Sequence, residues 1–183
     1  MAARADTTAP APGRSFDGPL LDRTPVVIRP LVAEDRAQLR AFFEGLLPGT
    51  IRLRYLAQHR VRPEELAELT SGDGVSRLHV AAWTDGRIVG IAEYRKSGPA
   101  CAEVSFLIGD AFQGEGLGSL FLRCLAAAAL EAGIRCFHAD TLERNERMLA
   151  VFRHSGLRVQ VSAPQAGEVA VILALAAGPG PHG

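Results

Sequence analysis

The sequence has none of the features of a membrane or secreted protein. Its apolar runs fall short of the roughly 20 residues that a membrane-spanning helix needs, and the opening MAARADTTAPAPGRSFDGP lacks the apolar core of a signal peptide. Excess charge is also absent: 20 basic and 20 acidic residues leave a formal net charge of zero, which disfavours a nucleic-acid-binding protein. We therefore expect a cytoplasmic protein with neither a membrane nor a nucleic acid as partner.

Cysteines are few, and their spacing argues against a metal site. Cys101, Cys124 and Cys136 form no CxxC motif, have no paired histidines and lie among apolar residues. We interpret them as small core side chains of a protein from a reducing compartment, and we expect no metal.

The two ends of the chain have little that could anchor them. Residues 1–22 are rich in Ala, Pro, Thr and Gly without apolar periodicity, and residues 177–183 are similar. This composition predicts a disordered leader and a disordered tail. The remaining residues, 23–176, are enough for one domain with its own core.

Within that domain the apolar residues follow two periods. Alternation typical of strands occurs at 26–31, 78–84, 87–94, 100–108, 135–142, 157–163 and 168–175. The helical period occurs at 33–46, 50–58, 62–74, 116–133 and 145–156. Asp85-Gly86 is a hairpin signal, so the first strands should be antiparallel. The order predicts a mixed α/β (α+β) domain with one sheet of about six or seven strands and helices on both faces.

The stretch QGEGLG, residues 113–118, separates a predicted strand from the longest predicted helix. A helix N-terminus has free N–H groups and a partial positive charge, and glycines let an anion approach the backbone. Other phosphate loops fit worse: the stretch has no Walker lysine, and Ser119 and Phe121 stand where a dinucleotide loop needs glycine. The alternative is a glycine-rich turn that only begins a helix.

These residues resemble a known family. Gln113-x-x-Gly116-x-Gly118 is similar to the Q/R-x-x-G-x-G/A signature of the GNAT acetyltransferase superfamily. VVIRPLVAEDRAQLRAFFEGL resembles the family's opening strand and helix, and NERMLAVFRHSGLRV resembles its N-x-x-A-x-x-x-Y-x-x-x-G-F segment. The likeness covers about residues 25–176 and is strongest to the acetyltransferase domain of bacterial protein-lysine acetyltransferases.

The resemblance implies that the chain binds acetyl-CoA in a splay between its fourth and fifth strands. The backbone of Phe106, Leu107 and Ile108 would pair with the pantetheine arm as an added strand does. The pyrophosphate would lie on the loop and first helical turn, formed by Gln113, Gly114, Glu115, Gly116, Leu117, Gly118 and Ser119. Asn145 would contact the pantetheine arm; the alternative is that it serves only as a helix N-cap. Phe152 would line the same site.

Acetyl transfer needs a base, because an amine of the lysine type has a reference pKa near 10.4 and is protonated at pH 7. Glu103 is the candidate, since it shares a strand face with Ser105 and Leu107, and partial burial would make it a stronger base. It matches the acidic position of the protein-lysine acetyltransferases. Glu93 is a candidate helper: a hairpin turning at Gly98 would set it opposite Glu103, where repulsion strengthens one of the pair. The alternative is a Glu93 at a solvated strand end, paired with an arginine such as Arg95.

A dedicated general acid is missing. The family often uses a tyrosine on the last helix, where this chain has Phe152, so the leaving thiolate would take its proton from water or from the amine. The two tyrosines, Tyr55 and Tyr94, are remaining alternatives. We expect direct attack on acetyl-CoA in a ternary complex, with an amine acceptor that is a protein lysine.

Three questions stay open at this point. The acceptor is alternatively a polyamine, amino sugar or antibiotic, and the segment from Pro48 to Asp73, which should form one wall of its site, shows no clear charge preference. Loss of the tyrosine makes a non-catalytic acyl-CoA sensor the second alternative. The chain would be a monomer or a homodimer.

Overall fold

The computed structural model describes residues 15–55 and 61–175, with residues 53–55 described by their backbone alone. Within these ranges the strands are β1 (Phe16–Pro19), β2 (Pro25–Pro30), β3 (Arg77–Thr84), β4 (Arg87–Lys96), β5 (Cys101–Ile108), β6 (Cys136–Leu142), β7 (Arg158–Val161) and β8 (Glu168–Ala174). The helices are α1 (Arg36–Glu44), α2 (Pro48–Tyr55), α3 (Pro63–Leu69), α4 (Leu117–Glu131) and α5 (Glu146–Arg153). None of these helices is long and apolar enough to span a bilayer.

All eight strands of the described residues form one mixed sheet in the order β1-β2-β3-β4-β5-β6-β8-β7. β1 to β5 are an antiparallel meander, and helix α4 carries the chain from β5 to the parallel strand β6. β8 then inserts antiparallel between β6 and β7. The predicted mixed sheet is confirmed, with eight strands in the described residues where six or seven were expected.

The extra strand is β1, which lies in the predicted leader. Phe16 pairs with Ile28 of β2, and Leu20 is buried just after the strand. The prediction of a disordered leader over residues 1–22 is therefore wrong for its last residues. The segment escaped detection because four residues containing glycine and proline carry no strand signal, and the partner strand supplies the order. Residues 1–14 and 176–183 lie outside the described ranges.

Helices cover both faces of the sheet, as predicted. On one face α4 buries residues at helical spacing, including Leu117, Phe121 and Leu125, against the central strands. On the other face α1 buries Leu39 and Phe42. Strand β5 therefore has core on both sides and places successive side chains in two different environments.

The cysteine prediction needs correction. Cys101 and Cys136 form a disulfide between β5 and β6, whereas Cys124 is free and buried. The sequence separation of 35 residues gave no sign of the pair, which the parallel register of β5 and β6 brings side by side. The disulfide overturns the interpretation of Cys101 and Cys136 as unpaired core side chains, and with it the argument from cysteine spacing for a reducing compartment.

Candidate active site

The site begins where β5 and β6 separate. They pair only from Cys101 to Glu103 and from Cys136 to His138, although β5 stays paired with β4 as far as Ile108. A cavity of about 670 Å³ opens between the diverging strands and is lined on one side by residues 104–108 and on the other by residues 139–141. We call it the splay cavity. The predicted fourth and fifth strands are β5 and β6, and their predicted separation is present.

The QGEGLG stretch lies at the mouth of the splay cavity, where helix α4 begins. Gly114 and Gly116 have φ values of +88° and +87°, a left-handed conformation that a side chain strains, and Gly116 is the N-cap. The N–H groups of Ser119 and Leu120 both donate to the Gly116 carbonyl at 3.1 and 3.2 Å. The helix therefore presents the preceding N–H groups of its first turn toward the cavity mouth. Ser119, predicted to offer its N–H as well, has that group engaged.

Most residues predicted for the cofactor line the splay cavity. They are Phe106, Leu107, Ile108, Gln113, Gly114, Gly116, Leu117, Gly118, Ser119, Asn145 and Phe152. Glu115 is not among the lining residues, and its carbonyl accepts a hydrogen bond from the Leu21 N–H at 3.0 Å. These residues were assigned from the resemblance to the GNAT signature, which is a contiguous stretch of sequence.

Asn145 and Phe152 come from α5, which closes the cavity. The Asn145 Oδ1 atom accepts from the Met148 N–H at 3.3 Å, which is the N-cap of the alternative interpretation, and its Nδ2 donates to Thr141 Oγ1 at 3.2 Å. Asn145 is thus an N-cap that also borders the cavity. Phe152 is buried and packs on Phe106 with ring centroids 6.1 Å apart.

A polar network that the sequence did not reveal supports the loop. Gln113 Nε2 donates to Thr50 Oγ1 at 3.1 Å and to the Ile108 carbonyl at 3.2 Å. Thr50 in turn donates to Asp110 at 2.5 Å, and Arg147 Nη1 donates to Gln113 Oε1 at 3.0 Å. The network ties α2, the loop and α5 together. Its members are far apart in the sequence, so no spacing pattern could have shown it.

Two arginines and one leucine of the cavity wall were also missed. Arg144 and Arg147 are exposed at the start of α5 and place positive charge beside the mouth. Arg144 directly precedes the N-cap Asn145 and Arg147 lies in the first turn of α5, so two arginines flanking a predicted helix start were the signal that could have found them. Leu21, 76% exposed, extends over the loop from the β1–β2 turn.

A second cavity, of about 220 Å³, lies between α3 and the face of β3, β4 and β5 that carries Glu103. We call it the acidic cavity. Its titratable lining residues are Glu65, Glu68, Arg77, His79, Glu93, Arg95 and Glu103. Arg77 pairs with Glu68 at 2.5 Å, and His79 Nε2 lies 2.8 Å from Glu93 Oε2. Carboxylates outnumber guanidinium groups in this wall, which favours a cationic guest.

Glu93 and Glu103 share a sheet face, as predicted, but they are not opposite each other. Glu93 pairs with Ser105, and Glu103 with Arg95. The hairpin is centred on Pro99 rather than Gly98, because the Ser97 N–H bonds to the Cys101 carbonyl at 3.0 Å. The predicted facing pair is therefore wrong.

Each glutamate has a different partner from the one expected. Arg95 Nη2 lies 3.0 Å from Glu103 Oε2, and this hydrogen bond raises the pKa of the Arg95 guanidinium. The Glu103 side chain is 44% exposed and is therefore partly buried. Glu93 is 24% exposed and contacts His79 and Ser105, so its placement at a solvated strand end beside Arg95 is also wrong.

The tyrosine alternatives gain no support. Tyr94 is fully buried, its hydroxyl donates to the Gly74 carbonyl at 3.0 Å, and burial raises its pKa to about 12. A group so placed does not reach either cavity. The Tyr55 side chain lies outside the described residues. No cluster of side chains able to hold a metal ion occurs in the described ranges.

Comparisons with known proteins agree with this geometry. The family model described as "Acetyltransferase (GNAT) family" matches residues 47–157, more than half of the chain. "Acetyltransferase PA5475" of Pseudomonas aeruginosa is 31% identical over 157 residues, which are 80% of this chain and 82% of that protein.

Solved structures give the same result. The GNAT domain of S. lividans PAT has a TM-score of 0.80 and 30% identity, over 86% of this chain and 95% of that one. YncA, a putative acetyltransferase from Salmonella typhimurium solved with acetyl-CoA, has a TM-score of 0.70 over 85% of this chain and 97% of that one. At 19% identity this second likeness shows the fold alone. The sequence-based prediction of an acyltransferase that depends on acetyl-CoA is thus confirmed, and the chain belongs to the GNAT acetyltransferase family.

Proposed function

We propose that this protein transfers the acetyl group of acetyl-CoA to a cationic amine by direct attack in a ternary complex. The observation that carries the proposal is the meeting of the two cavities at β5, whose residue Ser105 lines the splay cavity while its neighbour Glu103 lines the acidic one. A thioester in the first cavity and an amine from the second would meet at this strand.

Three features support acetyl-CoA as the occupant of the splay cavity. The edge of β5 that faces away from β4 has no β6 partner beyond Glu103 in the described residues, so Phe106 to Ile108 can pair with the amide groups of the pantetheine arm. The first-turn N–H groups of Leu117 and Gly118 suit a pyrophosphate. Arg144 and Arg147 add positive charge on the opposite wall.

The chemistry requires that the acceptor's ammonium group loses a proton before it attacks. We propose a glutamate of the acidic cavity as the base, with Glu103 and its neighbour Glu93 as the two candidates. A backbone N–H of β5 would stabilise the oxyanion that forms on the thioester carbonyl. Phe152 has no proton to donate, so the departing thiolate takes the amine's second proton or one from water.

A protein lysine is the acceptor we propose. The resemblance to protein-lysine acetyltransferases supports it, and so does the acidic wall, which attracts an alkylammonium group. Small cationic amines share that chemistry and are the second candidate.

Binding is tested by calorimetric titration with acetyl-CoA. The chain offers a matched pair of variants, Gly116→Glu and Gly133→Glu. Gly116 directly precedes α4 and Gly133 lies just after its end, with φ values of +87° and +78°. Both substitutions strain the backbone, but only Gly116→Glu puts a carboxylate at the phosphate site. We expect Gly116→Glu to abolish binding and Gly133→Glu to retain it.

Turnover is tested with a lysine-containing peptide, spermidine and an amino sugar. Acetylation of one of them supports the proposal, and its identity names the acceptor class. Failure of the folded wild-type protein to bind acetyl-CoA contradicts the proposal. Binding without acetylation of any amine favours an acyl-CoA-binding module instead.

A further inference from the structure

One row of polar side chains crosses three neighbouring strands beneath the acidic cavity. His79 of β3 is opposite Glu93 of β4, which is opposite Ser105 of β5. His79 Nε2 lies 2.8 Å from Glu93 Oε2, and Ser105 Oγ donates to Glu93 Oε1 at 3.0 Å. Both carboxylate oxygens of Glu93 are therefore held by neighbours, and the side chain has a fixed orientation.

This row connects the two cavities. Ser105 lines the splay cavity, whereas Glu93 and His79 line the acidic one. Glu103 lines the acidic cavity and is paired with Arg95. Of the two candidate bases, Glu93 is thus the one linked by a hydrogen bond to a residue of the splay cavity.

His79 has an arrangement that packing does not explain. Its side chain is 4% exposed, yet its Nδ1 atom has no hydrogen-bond partner among the described residues. Most buried polar atoms in proteins have a hydrogen-bond partner, and an exception calls for an explanation. A proton on Nδ1 would stay unpaired in the interior, whereas a proton on Nε2 is donated to Glu93. The geometry therefore favours an imidazole that carries its proton on Nε2 and donates it to Glu93 Oε2, so that this proton stays on His79.

We propose that Glu93 receives the ammonium proton of the acceptor through the hydroxyl group of Ser105, and that His79 is the positioning residue that holds Glu93 for this step. The inference rests on the proposed function. An N–H bond of the ammonium group breaks and leaves its electron pair on nitrogen, while its proton goes to Ser105 Oγ. The original hydroxyl proton of Ser105 passes to Glu93 Oε1.

The remaining protons also balance. The neutral amine attacks the thioester carbonyl, its second proton leaves with the thiolate as the thiol, and Glu93 releases its proton to water before the next turnover. Glu103, held by Arg95, binds the cationic acceptor at the wall. It contacts the substrate without taking the proton.

Titratable groups from each element that lines the acidic cavity surround Glu93. Arg95 is on its own strand, His79 and Arg77 are on β3, Glu103 is on β5, and Glu65 and Glu68 come from α3. Because carboxylates predominate, a cationic amine is attracted to the site. The ammonium group of the amine would then be surrounded by several carboxylates. We expect the acid limb of the kcat/KM profile to depend on Glu93.

The test compares Glu93→Gln, Glu103→Gln and Ser105→Ala in pH profiles of kcat and KM, using the amine that the wild-type enzyme acetylates fastest. Glu64→Gln is the matched control, since Glu64 is exposed on α3 and lines neither cavity. We expect Glu93→Gln to lower kcat about 10²–10⁴-fold and to remove the acid limb, with acetyl-CoA affinity unchanged by calorimetry. Glu103→Gln should mainly raise the KM for the amine, and Ser105→Ala should lower kcat.

The role of His79 has its own readout. His79→Gln can still donate to Glu93 and should keep more of kcat than His79→Leu, while both leave the KM for acetyl-CoA unchanged. If His79 has only a structural role, the two folded variants should have equal turnover. That result would overturn the positioning role. His79→Gln also keeps the test valid if His79→Leu does not fold.

Failure of the inference is distinguishable from failure of the proposed function. If Glu103→Gln loses kcat and the acid limb while Glu93→Gln does not, the enzyme is an acetyltransferase with Glu103 as its base, and the inference is overturned. Wild-type turnover by Ser105→Ala overturns the route through Ser105. A wild-type protein that acetylates no amine overturns both.

Discussion

Gly118 on α4 and Val151 on α5 are in such close contact that a Cβ atom on Gly118 would lie 2.9 Å from Val151 Cγ2. A valine side chain is stiff and cannot move aside easily. The two residues therefore set the distance between the helix that begins at the phosphate loop and the helix that closes the splay cavity.

This contact makes Gly118→Ala a specific probe of the cavity. We expect the alanine to push α5 outward, to lower the free energy of unfolding by about 1–3 kcal/mol and to weaken acetyl-CoA binding. Denaturant unfolding and calorimetry measure the two effects. The double variant Gly118→Ala/Val151→Ala removes the clash and should recover affinity relative to Gly118→Ala. Unchanged stability and affinity in Gly118→Ala would contradict this account.

Gln113 is expected to matter for the cofactor rather than for the acceptor. Its side chain donates to Thr50 and to the Ile108 carbonyl and accepts from Arg147. Each of these hydrogen bonds contributes about 1 kcal/mol, and part of that lost free energy destabilises the loop. Gln113→Ala should therefore raise the KM for acetyl-CoA roughly tenfold and leave kcat nearly unchanged. Gln160→Ala, an exposed glutamine on β7, is the control in the same steady-state assay. A selective fall in kcat would show that the network serves chemistry instead.

The Cys101–Cys136 disulfide should contribute strongly to stability. It joins residues 35 positions apart, and closing a loop of that length in the unfolded chain corresponds to about 3–4 kcal/mol. Urea unfolding of the wild-type protein should therefore shift to lower concentrations in the presence of reductant. Cys101→Ser/Cys136→Ser should be insensitive to reductant, and Cys124→Ser should respond as the wild type does. A wild-type transition that reductant leaves in place would refute the prediction.

Tyr94 should make the protein less stable at high pH. Burial raises its pKa to about 12 from the ordinary value of 10.0. Below pH 10 the Tyr94 hydroxyl is protonated in both the folded and the unfolded protein, and its contribution to stability is fully present. Between the two values the unfolded chain loses the proton while the folded protein keeps it, so stability falls as pH rises and the contribution is lost through pH 12.

The expected loss from Tyr94 is about 2–3 kcal/mol, measured by denaturant unfolding from pH 8 to pH 12. Burial also raises the pKa of Cys124 to about 12, so the experiment is best done in a Cys124→Ala background. Tyr94→Phe in that background should flatten the alkaline slope. An equal slope with tyrosine and phenylalanine would assign the effect to other groups.

Several features of this protein followed from the sequence by itself. The periods of 2 and 3.6 residues located the seven strands and the helices of the domain, because side-chain direction depends only on local backbone geometry. The glycines of QGEGLG predicted the turn at the start of α4, since left-handed residues favour glycine wherever they occur. The family was recognisable for the same reason, as its signature is local.

Other features depended on contacts between distant segments. The centre of the hairpin moved from Gly98 to Pro99, and that one-position change replaced the predicted Glu93–Glu103 pair with Glu93–Ser105 and Arg95–Glu103. Strand β1 forms only because β2 offers an edge, and Cys101 meets Cys136 only because β5 and β6 are parallel neighbours. His79 was one unremarked histidine in a strand pattern until the register put it beside Glu93. Local patterns specify which way a side chain points, whereas loop closure and packing across the sheet decide which side chain it meets.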